Sequence, residues 1–254
     1  MTEPADFSWL PTGTCLVGEY GSRAHGTANA DSDRDFHAIR VEPREFITGL
    51  SHFDSQRHST AASGAKSSRD DTDTTVYGLR KWAGLAAAGN PNMYVLLHLP
   101  RYELLDDKGQ MLLDGRDLFV SKQAAPKFIG YLRSQKAALL GERGARVQRP
   151  DIVAKHKYDT KFAYHAVKLG LQGRQLLTDG QLTIPFTGAD LALLRGIRAG
   201  NYTLEDVCDM TDNLAADIHR LATGNTTFPE RPDMPAINRL LNRMYEAEWA
   251  AQSK

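Results

Sequence analysis

The sequence predicts an α+β fold: strands and helices mix over residues 1–118, and residues 119–254 are all helical. Three observations predict it. Short apolar runs of strand length stand at TCLVGEY (14–20), DFHAIRV (35–41) and DTTVY (73–77). The spacing of apolar residues turns helical from residue 79 onward. Beyond residue 118 strand signals nearly vanish, and long helical segments follow one another between Gly, Pro, Asn and Thr breaks.

Each element has a local reason. The first run ends at Gly21, and a helical turn or two fits before the second run begins. Residues 51–72 are rich in Ser, Thr, Asp and His without apolar periodicity, which reads as a long mobile loop of the kind that often carries function. LRKWAGLAAAG (79–89) has helical spacing and closes on Gly89; Asn90 and Pro91 supply an N-cap and a first-turn proline for the next helix, NMYVLLHL. The second part divides into helices at 124–142, about 152–178, 187–198, 203–222 and 233–251, with no internal repeat.

A chain of 254 residues with 41% hydrophobic and 24% charged content can build one large domain or two modest ones. Its first residues, MTEPADFSWLPTG, have neither a basic start nor an apolar stretch, and nowhere do eighteen apolar residues run together. A cytoplasmic protein without a membrane partner is expected. Cys15 and Cys208 stand far apart without ligand spacing and read as buried thiols, not a disulfide. The net charge of zero is unevenly spread: residues 121–168 carry eleven Lys/Arg against three acids, 11 − 3 = +8, so the remainder totals −8. Such a segment either attracts a polyanion, a nucleic acid or a triphosphate, or forms solvated helix faces.

The chemistry concentrates in GEYGSRAHGTANADSDRDFHAIR (18–40). Alternate side chains of a strand share a face, so Asp33 and Asp35 project together, and two adjacent carboxylates repel unless a cation lies between them. Mg2+ takes oxygen ligands and is commonly held by one or two carboxylates plus substrate phosphates. Aspartate is a poor strand former, so Asp-x-Asp opening a strand needs a reason. Upstream, Gly21 permits close backbone approach, and Ser22 offers a hydroxyl and N–H groups to a phosphate. Either half alone is more often a turn or a solvated strand end. Together, at this spacing, they arise by chance in about one chain in a hundred.

Gly21-Ser22, ten residues, then Asp33-Arg34-Asp35 resembles the signature of the polymerase-beta-like nucleotidyltransferase superfamily. GSRAHGTANADSDRDF is more similar still to one branch, the predicted bacterial and phage nucleotidyltransferases with GSRAxG and SDxD motifs. DTTVYGLRKWAGLAAAGNPN (73–92) and YDTKFAYHAVKLGLQGRQLLTDGQLTIP (158–185) match that branch too. The resemblance implies a polymerase-beta-like domain, a mixed sheet with flanking helices, over residues 1–118, and a helical domain over 119–254 that contributes to the NTP and substrate cleft. It implies Mg2+- or Mn2+-dependent transfer of a nucleoside monophosphate from an NTP such as ATP to an acceptor, with release of pyrophosphate. By resemblance Asp33, Asp35 and a third carboxylate are catalytic and hold the metals. Asp73 is the choice for the third, with Asp71 the alternate because strand parity puts both on one face, while Asp31 falls before the strand. Gly21, Ser22 and Arg23 are then assigned to the triphosphate, and His37 either lines the cleft or packs in the core.

In KYDTKFAYHAVKLG a helical reading puts Lys157, Lys161, His165 and Lys168 on one face, beside an apolar face of Tyr158, Phe162, Ala166 and Leu169. The stripe is either solvated or, as the matched block implies, directed at the cleft, with Lys161 and His165 contacting the triphosphate and Asp159 capping the helix or positioning Lys161. Tyr158 and Tyr164 read as core residues ahead of base-stacking ones. The chain departs from the branch at Val95, where relatives carry glutamate after NPN, and at His37-Ala38, where a glycine is expected. The basic segment favours RNA, such as tRNA, as acceptor; a protein or a small molecule is the alternative, and an inactive nucleotide- or RNA-binding relative is a further one.

Overall fold

TCLVGEY and RDFHAIR place apolar residues at both alternations, so the strands they form can be covered on both faces and belong in the middle of a sheet. The computed structural model describes residues 5–29, 32–61, 71–142, 149–224 and 227–252. β1 (Thr14–Tyr20) pairs antiparallel with β2 (Arg34–Arg40). β3 (Ser55–Ser59) pairs antiparallel with β4 (Thr72–Gly78), which runs parallel to β2, and β5 (Leu104–Leu105) closes on β1. The order is β3-β4-β2-β1-β5, a five-stranded mixed sheet, and with eleven helices among the described residues the fold is α+β.

The expected loop over 51–72 is corrected in part by β3. SQRHS carries no apolar side chain to write an alternation; it is held by backbone pairing to β4, Gln56 opposite Val76, and by the half-buried His58, whose ring stacks on Trp9 at 4.1 Å between centroids. Residues 62–70 lie outside the described residues.

One face of the sheet buries Val17, Phe36, Ala38 and Val76 beneath Phe7, Trp9, Leu10 and Phe53, with Phe7 edge-on to Phe36 at 5.1 Å. The other face carries Leu16 and Ile39, both fully buried. There Gly18 is required by packing: a Cβ would lie 2.3 Å from a methyl of Leu99 and 2.9 Å from one of Leu96. α1 (Gly21–Ala24) and α2 (Arg44–Thr48) are short connections; α3 (Leu79–Ala87) buries Trp82, Ala83 and Ala86. In α4 (Pro91–Leu97) the side chain of Asn90 accepts from the Asn92 N–H at 3.1 Å, and Val95 is core, 1% exposed, so a glutamate there would be buried. α5 (Asp107–Asp114) starts on the Asp106 carboxylate, which accepts the N–H groups of Lys108 and Gly109, and a 3-10 turn, η1 (Arg116–Phe119), follows.

The described residues divide into two units, Met1–Ala87 with Met93–Phe119 and Asp233–Lys254, and Ala88–Asn92 with Val120–Pro232. α11 (Met234–Gln252) therefore groups with the sheet, whereas the boundary expected at 118/119 puts it with the helices. Glu42, buried just after β2, is the reason: its carboxylate accepts from the Leu79 N–H (3.0 Å) and the Tyr245 hydroxyl (2.8 Å), and its carbonyl from Trp249 Nε1 (2.9 Å).

The second unit is built on α6 (Ala124–Leu139), α7 (Pro150–His156), α8 (Thr160–Asp179), α9 (Gly188–Ala199) and α10 (Leu204–Thr223). The single helix expected at 152–178 is two. Lys157 ends α7 in the left-handed region at φ +70°, and Asp159 starts α8 by accepting the N–H groups of Lys161 and Phe162. Cys15 is fully buried, and burial pushes its thiol upward; Cys208 is only half-buried, and both thiols are free. No described helix is long and apolar enough to cross a membrane.

Candidate active site

The site begins where β1 runs out. At Tyr20 the chain must reverse toward β2, and Gly21 supplies the turn at φ +71°. A Cβ on Gly21 would lie 2.1 Å from Oδ2 of Asp35, so the backbone touches a space that only a glycine leaves. The turn is stitched to itself. The Gly26 N–H donates to the Arg23 carbonyl (3.0 Å), the Thr27 N–H to the Ser22 carbonyl (2.9 Å), and Nδ1 of the fully buried His25 meets the Gly21 carbonyl (2.5 Å). On the approach to β2 the Ser32 hydroxyl donates to Asn29 Oδ1 (2.8 Å) and accepts from the Asn29 N–H (3.0 Å).

The parallel register then sets Asp35 beside Asp73, with Asp33 just ahead of β2. Carboxylate oxygens of Asp33, Asp35 and Asp73 all lie within 4.8 Å of one another, and each residue is half-buried. Three carboxylates so close repel in proportion to their proximity, and a divalent cation among them removes the repulsion while completing an oxygen shell. Asp71 is not in the cluster. Its carbonyl accepts from the Arg34 N–H (3.1 Å), and its carboxylate accepts from the Thr60 hydroxyl (3.2 Å) on the β3 side. Asp31 lies outside the described residues.

His37, two residues along β2 from Asp35, is stacked on Tyr20 at 3.9 Å between ring centroids, with Tyr77 edge-on at 5.4 Å. Its Nδ1 is sealed from solvent without a hydrogen-bond partner, and burial, with the Arg57 charge as a lesser cause, lowers it to about 4. A neutral, packed imidazole results.

Arg23 lies in α1, and its guanidinium donates Nε to the Asp33 carbonyl (3.1 Å) and Nη2 to the Ser32 carbonyl (2.8 Å). The residue assigned to phosphates from sequence thus spans the turn and the carboxylate strand. No sequence signal marks that contact, because a carbonyl acceptor carries no side-chain identity.

Lys161 and His165 belong to the second unit, on successive turns of α8. Lys161 is exposed; His165 is half-buried beside Tyr164, ring centroids 5.0 Å apart. The expected stripe is altered at both ends, since Lys157 ends α7 and Lys168 is buried, its ammonium 5.8 Å from the Tyr164 ring centroid, where Arg198 also stands at 5.3 Å. Tyr158 and Tyr164 are core residues, the Tyr158 hydroxyl donating to the Tyr202 carbonyl (2.7 Å). Asp159 is fully buried and accepts Arg149 Nη1 at 3.0 and 2.9 Å as well as capping α8.

Comparison with known proteins adds two findings. Over 141 residues, 53% of its length, the chain is 30% identical to an uncharacterised 38.9 kDa protein from the nrdC-mobD intergenic region of Enterobacteria phage T4. It spans about two-fifths of that relative's length, 40%. Residues 11–243 match a description that takes in the sheet, the aspartate cluster and α6 to α10, and with a match over most of its length the chain belongs to the RNA repair pathway DNA polymerase beta family, RlaP, one of the polymerase-beta-like nucleotidyltransferase families.

Proposed function

We propose that this protein is a divalent-metal-dependent nucleotidyltransferase that moves a nucleoside monophosphate from an NTP, ATP among the candidates, onto RNA and releases pyrophosphate. The observation that carries this reading is the cluster of Asp33, Asp35 and Asp73 within 4.8 Å behind a Gly-Ser turn. RNA as acceptor rests on the family's description and on the +8 balance of residues 121–168. Tiny changes in position matter here, because nucleotidyl transfer depends mainly on alignment and charge neutralisation.

Asp33, Asp35 and Asp73 would hold the cations; Mg2+ or Mn2+ bound there supplies charge stabilisation of the attacking and leaving oxygens. In the transfer, the acceptor hydroxyl loses its proton to water and its oxygen bonds to the α-phosphorus while the bond to the bridging oxygen breaks and pyrophosphate leaves. Gly21 lets the backbone run close against the Asp35 carboxylate, and Ser22 presents its hydroxyl and N–H to the triphosphate. Lys161 and His165 are assigned to the same triphosphate from the resemblance, so Lys161→Ala and His165→Ala should each raise KM for NTP roughly tenfold with a smaller change in kcat.

The test is incubation with each α-labelled NTP, Mg2+ and a total cell extract. Label in RNA is expected from the native protein and none from the Asp33→Ala/Asp35→Ala variant, whose fold is checked by circular dichroism. Turnover retained in that variant sinks the reading; label confined to polypeptide or to a small molecule reassigns the acceptor.

A further inference from the structure

We infer that Arg23 is a positioning residue for the metal site, holding the Asp33 carboxylate in the cluster through the backbone that carries it; this rests on the reading of Asp33, Asp35 and Asp73 as metal ligands. A guanidinium presents its donors in a fixed planar fork, which suits two acceptors at a set separation. Arg23 uses that fork on consecutive carbonyls, Ser32 at 2.8 Å and Asp33 at 3.1 Å. Asp33 precedes β2 and so lacks the ladder bonds that fix Asp35 and Asp73. Its preceding residue, Ser32, is anchored by Asn29, and its own carbonyl by Arg23.

The same arginine sits one residue after Ser22, in the turn whose Gly21 touches Asp35. Arg23 therefore joins the phosphate-side turn to the carboxylate that lies outside the sheet. Removing it frees Asp33 while leaving the strand register intact, because no β1–β2 or β2–β4 pair depends on it. Partners that orient metal ligands typically affect metal affinity by roughly 10–100-fold when lost.

The experiment measures Mn2+ binding to the full chain without nucleotide, by electron paramagnetic resonance and calorimetry, for the native protein, Asp33→Ala, Arg23→Lys and Arg23→Ala. Native protein should bind and Asp33→Ala should not. Arg23→Ala should bind about tenfold or more weakly, Arg23→Lys, which keeps the charge without the fork, by an intermediate factor. Added guanidinium ion at millimolar concentration should recover Mn2+ affinity in Arg23→Ala but not in Asp33→Ala. In turnover assays the Arg23 variants should need more metal for half-maximal rate at unchanged KM for NTP. Should Arg23→Ala fail to fold, Arg23→Lys and its metal titration stand in for it. Arg23 variants that bind Mn2+ as the native protein does, or that raise KM for NTP at unaltered metal affinity, overturn the inference and make Arg23 a phosphate ligand. A native protein that binds no Mn2+, or an Asp33→Ala variant that still binds it, overturns the reading on which the inference rests.

Discussion

Gly21 answers two demands at once, a left-handed turn at φ +71° and a contact with the Asp35 carboxylate that leaves no room for a methyl group. Alanine there meets backbone strain of about 1–2 kcal/mol and, in addition, an oxygen at 2.1 Å that must move. Gly21→Ala should therefore cost about 1–3 kcal/mol in urea denaturation and lower kcat by at least tenfold, since the displaced group is one of the cluster. An intact kcat in a folded Gly21→Ala protein would show that the Asp35 position is unimportant. Gly-Ser and Asp-x-Asp could be read directly from sequence because both motifs are local. That Gly21 is required by Asp35, fourteen positions on, was not legible, since it depends on the hairpin that brings β1 and β2 together.

At the level of elements, the break between α7 and α8 is decided by one buried carboxylate. Asp159 caps α8 through two N–H groups and takes the Arg149 guanidinium and N–H, and Arg149 in turn lies over Phe162 at 5.0 Å. Asp159→Ala removes a cap and leaves the arginine unmatched, so it should destabilise the protein by about 2–3 kcal/mol; Asp159→Asn, which keeps the acceptor, should lose about half of that. Hydrogen exchange in the first turn of α8 would locate the loss, and equal losses in both variants would exclude the cap as its source. The centre of α8 makes the opposite demand. A Cβ at Gly170 would lie 2.7 Å from Leu214 of α10, and one at Gly173 would lie 2.7 Å from Ile218 of α10 and 3.0 Å from Phe128 of α6. Helical periodicity predicted these helices, but not that two glycines set how closely three of them pack. β3 was missed for a related reason: SQRHS is held by backbone pairing to β4 and by His58 stacking on Trp9, and one half-buried polar side chain writes no apolar alternation into the sequence.

For the molecule as a whole, pH and salt give separate handles. His98 donates Nδ1–H to the Tyr94 carbonyl at 2.8 Å, and its Nε2 is buried without a partner. Burial is the main cause that lowers its pKa, with Arg116 adding to it and the Tyr94 hydrogen bond opposing. Its folded pKa lies below the unfolded value near 6.5, so the neutral ring costs nothing above that pH. As pH falls through 6.5 the unfolded chain takes up the proton first and stability drops, until the folded pKa is passed. Urea midpoints should thus fall between pH 7.5 and 5.5, and less steeply in His98→Gln; an equal fall in that variant would remove His98 as a cause. RNA affinity should decline linearly in log–log plots against salt if the basic segment takes phosphates, and Lys-to-Gln changes within 121–168 should flatten the slope.

By itself the sequence determined what depends on near neighbours: the strands at 14–20 and 73–77, the capped helices, the Gly-Ser turn and the Asp-x-Asp that leads into β2. Side-chain alternation, caps and turn residues act within a few positions, so they leave a readable pattern. The tertiary structure decided what depends on residues brought together from afar. Asp73 joins Asp33 and Asp35, and Asp71 does not, because the parallel register sets Asp73 opposite Asp35 while Thr60 takes the Asp71 carboxylate. Arg23 reaches two carbonyls that any residue would present, and α11 joins the sheet through a buried Glu42 some two hundred positions earlier. Backbone acceptors and strand register have no side-chain identity, and so nothing in the order of residues announces them.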